Sequence, residues 1–128
     1  MGYNVSTMDV CFTIPAENVD QAYAEMCRAN DHFTERFPSF NIFDQEQCSN
    51  AIEAFRNIGF DADTDITGDI IVYGFDGKSK NEEKIFEAIA PYVEPNSYIE
   101  WRGENGEMWR NVFENGRMIT QNGEIVWK

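Results

Sequence analysis

The sequence predicts a single α+β domain over residues 1–128, in which an antiparallel sheet carries its helices mainly on one face. The strongest observation is the dipeptide Asn-Gly, which separates stretches rich in apolar residues at Asn105-Gly106, Asn115-Gly116 and Asn122-Gly123. Asn-Gly favours two-residue type I′ hairpin turns, which need positive φ at both central residues. Residues 97–128 are therefore predicted to form a C-terminal four-strand meander. Three stretches with helical apolar spacing precede it, and no linker is long enough to separate a second domain.

The N-terminal third is predicted to hold one strand and one helix. Apolar residues alternate over residues 7–14, which predicts a strand that ends at Pro15. One face of this strand would carry Met8, Val10, Phe12 and Ile14. Helical spacing then predicts a helix at residues 17–29. Residues 30–43 contain four phenylalanines and a proline, so we expect an irregular segment that packs across the core.

The middle of the chain is predicted to hold two helices around a β-hairpin. Asp44 with Gln47 resembles a capping box that opens a helix at residues 44–58, and Gly59 would end that helix. The later elements are two hairpin strands at residues 60–64 and 69–75 and a helix that starts near Ser79 and ends before Pro91. The predicted order is β-α-α-β-β-α-β-β-β-β.

Two-residue turns fix which residues face each other across the meander. In the predicted registers, one face carries the cross-strand row Ile99, Val112, Ile119 and Val126. The opposite face carries Tyr98, Phe113, Met118 and Trp127. Toward the first turn, Trp101 would lie opposite Arg110 and Arg102 opposite Trp109, as cation–π pairs. We expect one row to lie under the helices, and the other to be covered by another element or to form a partner surface.

The net charge of −13 is the main functional clue in the composition. Residues 1–96 hold 18 acids and 6 bases, a net of −12, whereas residues 97–128 hold 5 acids and 4 bases, a net of −1. Phosphate contacts need Lys and Arg, so direct binding to nucleic acid or to an anionic membrane is disfavoured and a basic partner is favoured. Solubility is the alternative explanation of the same charge.

The acids are concentrated between residues 59 and 77, which hold five acids and no base. We therefore predict a partner-binding acidic surface made of Asp61, Asp63, Asp65, Asp69, Asp76, Glu82 and Glu83. Side chains two apart in a strand share a face roughly 7 Å apart, close to the phosphate spacing of a nucleic-acid strand. That spacing suits phosphate mimicry. The same acids would also keep an outer strand from pairing with other chains.

The run from Asp61 to Asp65 also resembles the start of a calcium-binding loop, because carboxylates occupy alternate positions. Ile66 stands where such a loop needs Gly, and Val72 stands where it needs Glu. We therefore predict no metal site.

The sequence contains no catalytic signature such as a nucleophile elbow, a dinucleotide-binding motif, a Walker motif or a zinc-protease motif. Its single histidine, His32, lies beside Asp31 without an accompanying Ser or Cys motif. We therefore expect a non-enzymatic protein without a cofactor. An enzyme or a small-ligand binder would need a pocket that holds converging carboxylates or His32.

The three cysteines, Cys11, Cys27 and Cys48, are odd in number and widely spaced. No apolar run approaches the roughly 18 residues of a membrane span, and no signal-peptide pattern is seen. These features predict reduced thiols and a cytoplasmic location.

The aromatic residues of the tail offer an alternative binding surface, since Trp, Tyr and Met are enriched at protein interfaces. That surface would consist of Tyr98, Trp109, Phe113, Met118 and Trp127. It would serve an immunity or adaptor protein, or a homodimer. Packing in the core is the competing interpretation of the same side chains.

Two segments carry a resemblance to known proteins. The first is Tyr98-Ile99-Glu100-Trp101-Arg102-Gly103-Glu104, followed by Met108-Trp109-Arg110 and Val112-Phe113; the second is Phe12-Thr13-Ile14-Pro15-Ala16-Glu17-Asn18-Val19. The chain there resembles small acidic bacterial and mobile-element proteins without an assigned function, which implies no site residue. Its size, acidity and lack of catalytic motifs are also similar to those of phage-encoded inhibitors, including anti-CRISPR proteins.

The leading hypothesis is therefore an acidic inhibitor that mimics nucleic acid and occupies the basic surface of a nucleic-acid-handling protein. Association through carboxylates would weaken as salt is added, whereas association through the aromatic surface would not.

Overall fold

Within residues 3–123, which the computed structural model describes, seven strands form one antiparallel sheet that packs against three helices. The strands are β1 (Asn4–Ile14), β2 (Asp61–Thr64), β3 (Ile70–Gly74), β4 (Asp76–Lys78), β5 (Ser97–Gly103), β6 (Met108–Glu114) and β7 (Arg117–Asn122). The helices are α1 (Val19–Arg36), α2 (Ala51–Ile58) and α3 (Glu82–Ile89). The predicted α+β class is confirmed. The fourth predicted strand of the meander lies in residues 124–128, outside the described residues.

Strand β1 lies at the centre of the sheet, whose order is β2-β3-β1-β5-β6-β7. Strand β4, which the sequence did not predict, pairs with the first residues of β1, on the same side of β1 as β3. The two strands are separate because the N–H of Phe75 donates to the Thr7 hydroxyl at 3.0 Å instead of to the backbone of β1. The ladder resumes at once, since Thr7 N–H donates to Phe75 O at 2.9 Å.

One extra residue in β1 changes which of its side chains face the helices. Thr7 pairs with Trp101 and Val10 with Ile99, so three steps along β1 match two steps along β5. This is a β-bulge, which shifts the alternation of the strand by one residue. The prediction that Met8 lies on the same face as Phe12 is therefore wrong: Met8 is 45% exposed, whereas Phe12 is buried.

Helix α1 continues past its predicted end at residue 29 as far as Arg36. Its buried positions are Ala22, Met26 and Asn30. Asn30 continues the buried face of the helix although it is polar, so the apolar spacing alone ends before it. Asn30 is tolerated there because its side chain binds the backbone of the segment that follows the helix. Its Nδ2 donates to Phe43 O at 2.9 Å, and its Oδ1 accepts from Ile42 N at 2.7 Å and from Phe43 N at 3.2 Å.

The aromatic segment after α1 packs across the core only at its end. Ile42 and Phe43 are buried, while Phe37 and Phe40 are 45% and 66% exposed. The expectation of an irregular segment at residues 30–43 that packs across the core is therefore wrong in two respects. Residues 30–36 continue α1, and the chain returns to the core only at Ile42.

Helix α2 is shorter than predicted because two caps act in succession. Asp44 caps a single 3-10 turn, and Asn50 then caps α2 by accepting from Glu53 N at 3.0 Å. The Glu53 carboxylate accepts from Ser49 N at 2.6 Å, one residue before the N-cap, and so also holds the start of the helix. Gly59 ends the helix with φ +122°, as predicted.

The hairpin at Asn115-Gly116 has the predicted register. Both residues have positive φ, and Val112 pairs with Ile119 and Phe113 with Met118. The hairpin at Asn105-Gly106 does not. There Gly106 N–H donates to Gly103 O and Gly103 N–H donates to Glu107 O, which makes a three-residue loop with Gly106 at positive φ.

The longer loop shifts β5 by one residue against β6. Each side chain of β5 therefore lies on the face of the sheet opposite to the predicted one. Tyr98 pairs with Val112, Ile99 with Asn111 and Trp101 with Trp109. The predicted places of Ile99 and Tyr98 in the two rows and both cation–π pairs are therefore wrong, whereas the pairs formed by β6 and β7 are confirmed. The helix-facing side carries Ile99, Trp101, Trp109, Phe113 and Met118, and the opposite side, here called the outer face, carries Tyr98, Arg110, Val112 and Ile119. The predicted partners Val126 and Trp127 lie outside the described residues.

The core under the helices is built from aromatic rings around Phe12. The Phe12 ring lies 5.3 Å from that of Phe86 and 5.2 Å from that of Phe113 between centroids, both in edge-to-face contact. Trp101, buried by the shifted register, contacts Phe60 and Phe75, and its indole N–H donates to Asn111 Oδ1 at 2.8 Å. Every buried polar side-chain atom in the described part of the chain has a hydrogen-bond partner.

Candidate acidic interface

Asp65 belongs to the turn between β2 and β3. Its Oδ1 accepts from the Thr67 hydroxyl at 2.6 Å, from Thr67 N at 2.9 Å and from Asp69 N at 3.1 Å. The hydrogen bond from the Thr67 hydroxyl is the largest cause of a pKa that lies below the ordinary value of 3.8. The carboxylate is therefore engaged in holding the turn.

Folding lowers the pKa of Asp65, so this group contributes stability that is fully present above the unfolded value and lost as the pH falls through the folded value. Asp65→Asn keeps an oxygen acceptor but does not titrate. We expect it to lose less stability than the wild type when the pH falls from about 5 to about 2. Urea denaturation across this range measures the difference. Asp20→Asn controls for the change in net charge, and equal losses in Asp65→Asn and the wild type would contradict the assignment.

Two further predicted site residues also have local structural tasks. Asp69 Oδ1 accepts from Ala16 N at 2.7 Å and so holds the turn that precedes α1. Glu82 is only 6% exposed, and its carboxylate accepts from Lys80 N at 2.7 Å and from the Ser79 hydroxyl at 3.1 Å. The helix predicted to start near Ser79 therefore starts three residues later, at Glu82, with Asn81 as an N-cap that makes no side-chain hydrogen bond. Its burial leaves the Glu82 carboxylate inaccessible to a partner.

Asp63 lies at the exposed edge strand and is paired with a cation. Its Oδ1 lies 2.7 Å from Nη2 of Arg56, whose Nε also donates to Ala62 O at 3.1 Å. Both side chains of the pair are more than half exposed, so the pair contributes little to stability. Its effect is to reduce the negative charge at that point of the edge.

Asp61 and Asp76 come together at one groove. They line a cleft of about 350 Å³ whose walls include Ser6 and Gly74, and both are exposed. We call this cleft the Asp61–Asp76 groove. The register shift between Asp61 and Ala62 places the extra residue on β3, so Asp61 and Asp63 remain exposed on either side of the buried Ala62. Asp65 lies beyond the end of β2, in the turn, so the evenly spaced array expected for residues 61–65 does not extend to it.

Glu83, the last predicted acidic residue, is exposed on α3 and lines a different cleft with Trp109. Among residues 3–123, no group of three or more His, Cys, Asp or Glu side chains is arranged to hold a metal ion.

Most carboxylates of the described chain have no ion-pair partner. Three ion pairs are found within residues 3–123, namely Glu25–Arg28, Asp63–Arg56 and Glu100–Arg110. Residues 3–123 contain 22 of the 23 acids of the sequence, since only Glu124 lies outside this range. The large negative charge is thus exposed to solvent and not compensated by described neighbouring cations.

A second acidic cleft was missed by the sequence reasoning. Asp31, Asp44 and Glu46 line a groove of about 410 Å³ between α1 and the 3-10 turn that follows Asp44. Gln45 bridges the two elements, because its Nε2 donates to Asp31 Oδ1 at 2.7 Å. The signal was the charge of residues 17–53, which hold eight acids and two bases.

The alternative aromatic surface is divided by the observed register. Phe113 is buried, and Trp109 and Met118 pack against the core on the helix-facing side. Tyr98 lies on the outer face, and Trp127 falls outside the described residues. The five residues therefore do not share one surface, and core packing accounts for three of them.

The outer face nevertheless carries an apolar row of its own. Cys11 pairs with Tyr98, Tyr98 with Val112, and Val112 with Ile119, which is 38% exposed. Polar contacts border the row: Tyr98 donates to Asp9 at 2.8 Å, which raises the pKa of the Tyr98 phenol. Arg110 forms an ion pair with Glu100 and lies 5.5 Å from the centroid of the Tyr98 ring.

No helix within residues 3–123 is long and apolar enough to cross a membrane. Comparison with protein-family models, curated proteins and solved structures found no match to the chain.

Proposed function

We propose that this protein is a non-enzymatic, cytoplasmic inhibitor that binds a basic, nucleic-acid-handling protein and occupies its nucleic-acid-binding surface. The observation that supports the proposal is the surplus of exposed carboxylates, of which three form ion pairs within residues 3–123. A surface that is left uncompensated attracts a positively charged partner and repels nucleic acid itself. This resembles the strategy of the phage-encoded inhibitors to which the sequence is similar in size and charge.

The contact is centred on the Asp61–Asp76 groove. Asp61 and Asp76 form no side-chain hydrogen bond or ion pair with described residues, whereas Asp65, Asp69 and Glu82 have local partners. A carboxylate that forms no hydrogen bond within the protein can accept hydrogen bonds from Lys and Arg side chains of a partner, as a phosphate does. Asp63 and Glu83 flank this centre as secondary contacts.

Capture from a lysate of the source organism on the immobilised protein tests the proposal. We expect the captured partner to be basic and its affinity to fall steeply between about 50 mM and 500 mM salt, because exposed charge pairs are screened. A partner without a basic surface, or one whose affinity is unchanged by salt, would contradict the proposal.

A second candidate is a protein-interaction module, an adaptor, immunity protein or homodimer, that uses the apolar row of the outer face. It is favoured by Tyr98, Val112 and Ile119, which form a continuous cross-strand row on the side away from the helices.

If the outer face is the contact, Ile119→Lys should remove a salt-insensitive association, because it places a charge in the apolar row. Ile119 is 38% exposed, so we expect the variant to remain folded. Ile66→Lys is the matched control, since Ile66 is a fully exposed isoleucine in the β2–β3 turn. Size exclusion and pull-down at two salt concentrations measure both variants, and retained association in Ile119→Lys would exclude this surface.

A further inference from the structure

A groove of about 720 Å³ lies between α1 and α3 and shares no residue with the acidic surface described above. On α1 it is lined by Ala29, His32, Phe33 and Arg36, whose spacing places them on one face of the helix. On α3 it is lined by Lys84 and Ala88, again one helical turn apart. The volume falls within the range of about 300–1,000 Å³ that is typical of small-molecule sites.

The charge of this groove is opposite to that of the rest of the molecule. Arg36 and Lys84 face it from the two helices, His32 adds a ring N–H donor, and Glu87 is the single acid in its lining. Neither Arg36 nor Lys84 has a described carboxylate within ion-pair distance, so both remain available to a ligand. Two cations and one acid in one cleft are unexpected in a chain of 23 acids and 10 bases.

The floor of the groove is apolar and partly aromatic. Phe33 is half-buried against the core, and its ring lies 5.0 Å from that of Phe37 between centroids. Phe37 is 45% exposed, and the Arg36 guanidinium lies 5.9 Å from the centroid of its ring. A groove that combines partly exposed aromatic rings with two cations suits a flat apolar body that carries an anionic group.

We propose that the groove between α1 and α3 binds a small aromatic carboxylate. The carboxylate lies between Arg36 and Lys84 and accepts their charge-assisted hydrogen bonds. The aromatic body packs on Phe33 and Phe37 and against the methyl groups of Ala29 and Ala88. The site is independent of the proposed inhibitory contact, so either proposal can fail without the other.

Titration of the full chain with 2-naphthoate, followed by amide chemical shifts, tests the proposal. We expect a Kd on the order of 1 mM, which corresponds to the binding free energy per non-hydrogen atom that is usual for drug-sized ligands. The shifts should cluster at residues 29–37 and 81–88. The neutral analogue 2-naphthalenemethanol should bind roughly tenfold more weakly, because it lacks the charged group.

Arg36→Gln/Lys84→Gln should likewise weaken 2-naphthoate binding by at least roughly tenfold. Arg28→Gln is the matched control, because Arg28 lies on α1 outside the groove, and its affinity should equal that of the wild type. Equal affinity for the neutral analogue, undiminished binding by the double variant, or shifts spread over other surfaces would each overturn the proposal. Binding of a glutamate-rich peptide without binding of 2-naphthoate would also overturn it, and would assign the groove to an acidic protein segment.

Discussion

Asn30→Leu is expected to destabilise the protein by about 2–4 kcal/mol, because it leaves buried backbone groups without partners. Asn30 is 3% exposed and makes three hydrogen bonds to the backbone of Ile42 and Phe43. Both of those residues belong to the core, so water cannot replace the lost bonds unless the segment detaches. Urea denaturation monitored by circular dichroism gives the free energy of unfolding of the variant and of the wild type.

Asn57→Leu is the matched control for this substitution. Asn57 Oδ1 also accepts a backbone hydrogen bond, from Asp44 N at 2.8 Å, but at an exposed position where water can take its place. We expect this variant to lose less than about 1 kcal/mol. Similar losses in the two variants would show that burial is not what makes Asn30 important.

Asp61→Lys/Asp76→Lys is expected to weaken binding to the captured basic partner by roughly 100-fold. Each substitution replaces an attraction with a repulsion at the Asp61–Asp76 groove, and the two effects act on the same contact. Both side chains are exposed, so the fold should be unaffected. Titration calorimetry at a fixed salt concentration measures the affinity.

Asp20→Lys/Glu35→Lys changes the net charge by the same amount at exposed positions of α1. We expect this control to weaken binding only several-fold, through the long-range field of the molecule. If both double variants lose affinity equally, total charge and not the groove determines binding, and the assignment of the groove is wrong.

The two described hairpins show which features of a turn its sequence predicts and which it does not. Asn115-Gly116 and Asn105-Gly106 are the same dipeptide between apolar strands, and both positions were predicted to form turns, as they do. Gly at positive φ is compatible with a two-residue type I′ turn and with a three-residue loop. Local sequence therefore identified both hairpins but could not fix the register of the first. Burial of Trp101 against Phe60 and Phe75 accompanies the three-residue loop, and this tertiary contact is invisible in the sequence.

Polar residues in buried positions account for the misplaced end of α1. Asn30 interrupts the apolar spacing, and the partners that make its burial favourable lie 12 and 13 residues further along the chain. A prediction from the spacing of apolar residues alone therefore ends α1 before Asn30. The apolar stripes of α2 and α3 are not interrupted by a buried polar residue in the same way, and these helices were placed with only their starts and caps in error.

The sequence predicts that the surface is acidic, but it does not predict which carboxylates lie together and remain free. The charge imbalance of residues 1–96 is a property of the sequence, and the ion pairs found in the structure do not cancel it. Which acids are free is set by local hydrogen bonds. Asp65, Asp69 and Glu82 hold turns and helix starts, while Asp61 and Asp76 are brought together by the pairing of β2 with β3 and of β4 with β1.

Competition for the captured partner tests the proposed function most directly. A labelled nucleic acid bound by that partner is titrated with this protein, and its release is followed by fluorescence anisotropy. We expect the nucleic acid to be released completely. The apparent Kd of the partner for the nucleic acid should rise linearly with the concentration of this protein. Asp61→Lys/Asp76→Lys should release much less. A stable complex of all three molecules, with the nucleic acid still bound, would contradict the proposal that the two compete for one basic surface.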